Sequence, residues 1–196
     1  MNESLEGRHE ISWEVLQERT TTFASTLNEA LESLGILEVC KGLEIDHICV
    51  RLKDSTDVNS LKTQMSQAGQ MISSVNVNGR EISIWQLNKP LTLEPWHTSG
   101  VELPHPKENH SYTDGWEHVE FVLPTDANTI EGVRDTFFTT FSNLTKEQLI
   151  ADYSYTENEP HAEGGQLPNP TIGIKVNGIG IKFHAKPVQE IIGFTQ

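Results

Sequence analysis

The chain has 196 residues, 36% hydrophobic and 21% charged, enough for one domain or two small halves of roughly 75–100 residues each. Its net charge of −14, from 28 acidic against 14 basic residues, is the wrong sign for non-specific nucleic-acid binding, where cations must neutralise phosphates. No run approaches the ~18 apolar residues of a membrane span, the polar start MNESLEGRHE lacks the features of a signal peptide, and Cys40 and Cys49 form neither a CxxC nor a disulfide scaffold, so a reduced cytoplasm is expected.

Residues 12–35 read as a helix. Leu27, Ala30, Leu31 and Leu34 follow helical spacing, Ser12 suits the N-cap and Gly35 the stop. Thr20, Thr21 and Thr22 are poor helix formers in series and leave room for a break. LEIDHICVRL (43–52) alternates as a strand, and a helix over about 55–68 follows, capped by Ser55 or Thr56, with Val58, Leu61 and Met65 as its stripe. Strands are expected over 71–77, 80–87 and 99–104, the first two joined by Asn78–Gly79.

After the polar stretch 105–114 the order repeats. WEHVEFVL (116–123) is a strand, and a helix from about Asp126 carries Ile130, Val133, Phe137, Phe138 and Phe141 on one side. A strand near 151–156 and a hairpin over 171–185, turning at Asn177–Gly178, complete a second β-α-β-β-β unit. IDHICVRL and WEHVEFVLP share the pattern acidic-His-apolar-x-apolar, so the chain reads as a duplication. The expected fold is α+β: two tandem βαβββ modules, over 43–110 and 111–196, forming a curved mixed sheet around a cleft, with an N-terminal helical segment over 1–42.

Period-two alternation puts His47, Cys49 and Arg51 opposite Ile48, Val50 and Leu52. It likewise puts Trp116, His118 and Glu120 opposite Val119, Phe121 and Leu123. On the last strand of each unit, Glu102 and His184 again oppose apolar neighbours. If the two sheets curve together, His47, Glu102, His118 and His184 converge. Three imidazoles and a carboxylate suit a divalent ion such as Zn, Mn, Fe or Ni. A solvated strand face is the competing account for any one of these histidines.

Paired βαβββ units with ligands on their first and last strands resemble the vicinal oxygen chelate superfamily of glyoxalases, extradiol dioxygenases and methylmalonyl-CoA epimerases. More narrowly, DHICVR, VELPHP, GWEHVEFVLP, QLPNPT and IKFHAKP, in order along the chain, resemble the YecM family. The resemblance implies a metal-binding protein similar to metal-dependent isomerases and oxidoreductases. It places the superfamily's four ligand positions on His47, Glu102, His118 and His184. The fourth is commonly a carboxylate in better-known members, so their metal preference does not carry over, and fold alone does not fix chemistry.

Other residues have two readings each. Glu120 is a general base, or a ligand in place of Glu102; otherwise it orients His118 or pairs with a lysine such as Lys182. Arg51 captures a substrate carboxylate or closes a salt bridge near its strand end. Trp116 forms a pocket wall or core. His161 and Glu163 reach the pocket, or belong to a rigid turn. Cys49 reads as a small buried residue. His97, His105 and His110 read as solvated. The expectation is a metal-dependent isomerase, lyase or dioxygenase-like oxidoreductase acting on a small oxygenated substrate, as a monomer or homodimer. The alternative is a non-enzymatic small-molecule-binding module.

Overall fold

A computed structural model describes residues 11–108, 110–160 and 168–194; His161 and Glu163 lie outside the described residues. The first helix, α1 (Trp13–Ser33), runs unbroken through Thr20–Thr22, because Thr20 and Phe23 are buried by packing that outweighs their weak propensity. Ser12 caps it by accepting from the Val15 N–H, and Gly35 ends it at φ +67°. A short α2 (Leu37–Cys40) leads to β1 (Glu44–Arg51), α3 (Ser55–Met65), β2 (Gly69–Val77), β3 (Arg80–Leu93) and β4 (Trp96–Pro104). The second half runs β5 (Gly115–Val122), α4 (Ile130–Thr140), α5 (Lys146–Asp152), β6 (Ser154–Asn158), β7 (Thr171–Val176), β8 (Ile179–His184) and α6 (Val188–Ile191).

Two helix starts differ from the sequence reading. Asp54, not Ser55 or Thr56, caps α3 by accepting from the Thr56 N–H, and α4 begins at Ile130 behind its cap Thr129 rather than near Asp126. Asp and Thr side-chain oxygens each satisfy an otherwise orphaned N–H, so the cap that reaches the right amide sets the boundary. The short α5, started by a Thr145–Gln148 capping box, lies in a stretch without clear periodicity.

All eight strands form one open mixed sheet in the order β2-β3-β4-β1-β5-β8-β7-β6. The two βαβββ units meet at its centre, where β1 and β5 pair antiparallel; each is flanked by a parallel neighbour, β4 beside β1 and β8 beside β5. Both hairpin turns, Asn78–Gly79 and Asn177–Gly178, hold positive φ at both positions, as a type I′ turn requires.

Helices α1, α3 and α4 cover one face. Ile48, Val50, Val119, Phe121, Ile181 and Phe183 pack there with α1, α3 and α4 in a single core. Phe121 stacks on Phe183, against which Phe137 and Phe141 lie edge-on. Burying each such ring contributes roughly 2–3 kcal/mol. Because α1 packs on β3, β5 and β8, it spans both units. The opposite face is concave, lined by polar members of the central strands together with Val75, Ile82 and Ile84 of β2 and β3 and Val188 and Ile191 of α6. No helix among the described residues is long and apolar enough to cross a membrane.

Candidate functional site

The concave face encloses a cavity of about 630 Å³ whose wall includes His47, Arg51, Arg80, Ile82, Ile84, Glu102, Glu120 and Lys182. At its floor, one donor atom each from His47, Glu102, His118 and Glu120 lies within 4.8 Å of the others. His47 Nε2 is 3.4 Å from Glu120 Oε1 and 3.8 Å from Glu102 Oε2. His118 Nε2 is 3.2 Å from Glu120 Oε1 and 3.8 Å from Glu102 Oε1.

Two β-bulges aim these imidazoles. Between Ile45 and His47 the β1–β5 register shifts at Asp46; between Cys49 and Val50 it shifts at Glu117. A bulge inserts one unpaired residue and re-aims its side chain. Asp46 and Glu117, which strict alternation assigns to the helix face, therefore reach round to their own histidines. His47 Nδ1 donates to Asp46 Oδ2 at 2.7 Å, and His118 Nδ1 donates to Glu117 Oε2 at 2.9 Å. With Nδ1 engaged, each Nε2 is turned into the cluster, the usual carboxylate support for a metal-ligating histidine. Asp46 also accepts from the Val188 N–H, tying α6 to the floor.

The second bulge also moves Trp116. Trp116 faces Val50, its indole N–H donates to the Leu16 carbonyl, and its ring packs against Trp13 and Phe23 of α1. It does not line the cavity. His184 is fully buried on the cleft side; it lies outside the four-donor group but forms a second possible donor group with Asp46 and His47. Its Nδ1 donates to the Lys186 carbonyl at 2.7 Å, and its Nε2 lies 3.6 Å from both Asp46 Oδ2 and Glu120 Oε2. Of the predicted quartet, the structure groups His47, Glu102 and His118 with Glu120, and groups His184 with His47 and Asp46.

The register explains this. His47 pairs with Gly100 and His118 with Gly180, so the counterpart of Glu102 two residues on is Lys182, not His184. Lys182 Nζ donates to Glu120 Oε1 at 2.7 Å and to His118 Nε2 at 2.9 Å. Burial opposes its charge, but Glu120 and Glu102 outweigh that and raise its pKa. Glu120 is the mirror image: burial pushes its carboxyl up, and Lys182, His47 and His118 together hold it well below the ordinary range. Burial also opposes protonation of His47, yet Glu120 and Asp46 raise its pKa well above the usual value. The cluster thus already contains a cation of the protein's own. Lys182 lies in phase with His184 along β8, a signal alternation carried. Asp46 and Glu117 were signalled by the shared acidic-His pairs.

Arg51 closes the salt bridge that was one of its two readings. Its Nε donates to Glu117 Oε2 at 2.5 Å, while its buried Nη1 lines up no acceptor among the described residues. Cys49 is buried, and burial raises its thiol pKa well above the usual value, which fits a packing role.

Glu117 offers a test by pH. Burial pushes its carboxyl up, but the hydrogen bond from His118 and the Arg51 guanidinium more than offset this and hold its pKa at about 2. A depressed carboxyl stabilises the fold above its ordinary pKa, and that contribution is lost as pH falls through about 2. Glu117→Gln is expected to melt about 2–4 °C below wild type near neutral pH, a modest effect because the carboxylate is partly exposed. The gap should close on acidification. Thermal melts across pH 2–6 check this, and a pH-independent gap would show that the charge is not what holds His118.

Together these features define an α+β protein of tandem βαβββ units with a buried imidazole–carboxylate cluster in its cleft. Residues 13–194 match the family model described as YecM protein. The chain is 31% identical to protein YecM of Escherichia coli over 191 residues, covering 94% of this chain and 98% of that one. It is 30% identical to an uncharacterised protein of Haemophilus influenzae, covering 78% and 80% respectively. A solved structural-genomics structure, protein EC4020, superposes with a TM-score of 0.75 at 29% identity, over 93% of this chain and 92% of that one. The chain belongs to the YecM family.

Proposed function

We propose that this chain binds a divalent metal ion through His47, Glu102, His118 and Glu120, and acts as a metal-dependent isomerase, lyase or oxidoreductase on a small oxygenated molecule. The observation that carries the reading is the buried convergence of two imidazoles and two carboxylates, with each histidine's outer nitrogen fixed by a carboxylate of its own. The unpartnered, buried Nε2 of His47 is the kind of orphan a metal relieves. Nitrogen and oxygen donors in this mixture suit Zn, Mn, Fe or Ni. When bound, such an ion polarises a substrate oxygen and stabilises the negative charge that develops there.

The protein's own groups divide the remaining work. With the ion held by His47, Glu102 and His118 alone, Glu120 is freed to act as the base that takes a substrate proton. His184, behind Glu120 Oε2, positions that carboxylate. Arg51 holds substrate charge. The apolar wall of Val75, Ile82 and Ile84 keeps part of the cavity dry.

Elemental analysis of protein purified without a histidine tag or chelator tests this. About one metal per chain is expected, lost in the His47→Ala/His118→Ala double variant. No metal after incubation with Mn, Fe, Ni and Zn would overturn the proposal. It would favour the second reading, a small-molecule-binding module without a metal, which has one observation behind it: Lys182 already balances the carboxylates.

A further inference from the structure

Charge is distributed unevenly between the cavity and the rest of the chain. Of the 14 lysines and arginines in the sequence, four line the described cavity wall: Arg51, Arg80, Lys107 and Lys182. Of 28 acidic residues, only Glu102, Glu120 and Glu159 do so. Lys182, Glu102 and Glu120 belong to the floor. Beyond the floor, the wall carries three bases and one carboxylate, Glu159, with Glu117 paired to Arg51 behind it, in a protein of net charge −14.

Arg51 is 8% exposed, held edgewise by Glu117 and set over the Tyr112 ring at 5.7 Å. That grip leaves Nη1 buried on the cavity wall with no acceptor among the described residues. An unsatisfied buried donor costs about 1–3 kcal/mol, more when charged, and native proteins seldom retain one without a use. Arg80, at the start of β3, is half-buried and in phase with Ile82 and Ile84 of the same wall. Burial and the nearby Arg51 charge both pull its pKa down. Arg51 and Arg80 line the same wall, where like charges repel and an anion placed between them removes the repulsion. Planar guanidinium donors match the paired oxygens of a carboxylate or phosphate.

We propose that Arg51, Arg80 and Lys107 form an oxyanion subsite, and that the molecule entering this cleft carries a carboxylate or phosphate seated there, with its remainder directed to the floor. This rests on the cleft being the functional site and names the class of molecule it takes. The subsite needs no metal, so its test uses metal-stripped protein.

The experiment is calorimetric titration of the chelator-treated full chain with inorganic phosphate and, separately, with succinate, at ionic strength matched by sodium chloride. At least one probe is expected to bind with a Kd of about 10 mM or tighter. Arg80→Gln is expected to weaken that probe by about tenfold or more, with Arg80→Lys intermediate. Arg51→Lys, which keeps the charge but loses the fork, should weaken it too and guards against a result peculiar to one position. Whichever probe binds assigns the group, carboxylate or phosphate. If neither binds the wild type beyond the chloride control, or if Arg80→Gln and Arg51→Lys both leave affinity within about twofold, the proposal falls. Because no metal is present, that failure is separate from a negative elemental analysis.

Discussion

Lys182→Met is expected to lower the melting temperature of the metal-free protein by roughly 6–12 °C, from a loss of about 3 kcal/mol. The physical reason is not the lysine's own packing but what its removal leaves behind. Glu120 is 4% exposed and would lose the ammonium that donates to it at 2.7 Å. An orphaned buried charge costs about 3–5 kcal/mol, and the low end applies because the lysine side chain is 32% exposed to the cavity. The same substitution should tighten divalent-metal binding by about two orders of magnitude, since an entering ion no longer displaces a resident cation worth that energy. Melts with and without added metal, and competition against a chelator of known affinity, read both effects. A variant as stable as wild type and unchanged in metal affinity would show that Lys182 is a bystander.

Gly100→Ala is expected to destabilise the fold by about 3 kcal/mol and to cost the protein its metal. A Cβ there would press on the Asp46 carbonyl oxygen and lie 2.8 Å from His47 Cβ, both on the strand paired with it. Neither neighbour is the loose end of a flexible side chain, so β1 and β4 must part just where Asp46 orients His47. Gly180→Ala should act in the same direction but more mildly, because its new Cβ meets the His118 Cβ at 2.8 Å and nothing else closer than 3.7 Å. Gly42→Ala, whose Cβ would meet nothing nearer than 3.4 Å, serves as a control and should stay within about 0.5 kcal/mol. Thermal unfolding and metal stoichiometry measure the series. If Gly100→Ala melts with Gly42→Ala, the close approach of the two strands does not hold the site.

The βαβββ repeat was legible because alternation, turn pairs and helix stops all agreed locally, from His47 and His118 on matching strands to Asn78–Gly79 and Asn177–Gly178. The site was legible only as far as strict alternation holds. His47, Glu102, His118 and Glu120 obey it and meet. Trp116 does not, because the bulge at Glu117 restarts the count one residue early and turns the indole towards α1; a one-residue slip reverses every face beyond it. The same slips bring Asp46 and Glu117 to their histidines. The equivalence of Lys182, rather than His184, with Glu102 depends on which residue faces each glycine across two parallel pairs. Local spacing carries no information about cross-strand register.

The antiparallel seam between β1 and β5 has a further consequence. Each half of the chain supplies one bulged acidic-His pair and one neighbouring strand, and these meet only across that join. Two identical βαβββ units docked about a two-fold axis would have to place the same residue at both equivalent positions, giving paired carboxylates or paired ammonium groups. Covalent tandem linkage lifts that symmetry. It lets Glu102 occupy one position and Lys182 the other, so that groups of opposite charge share a single pocket, an asymmetry no two-fold pair of identical units could encode.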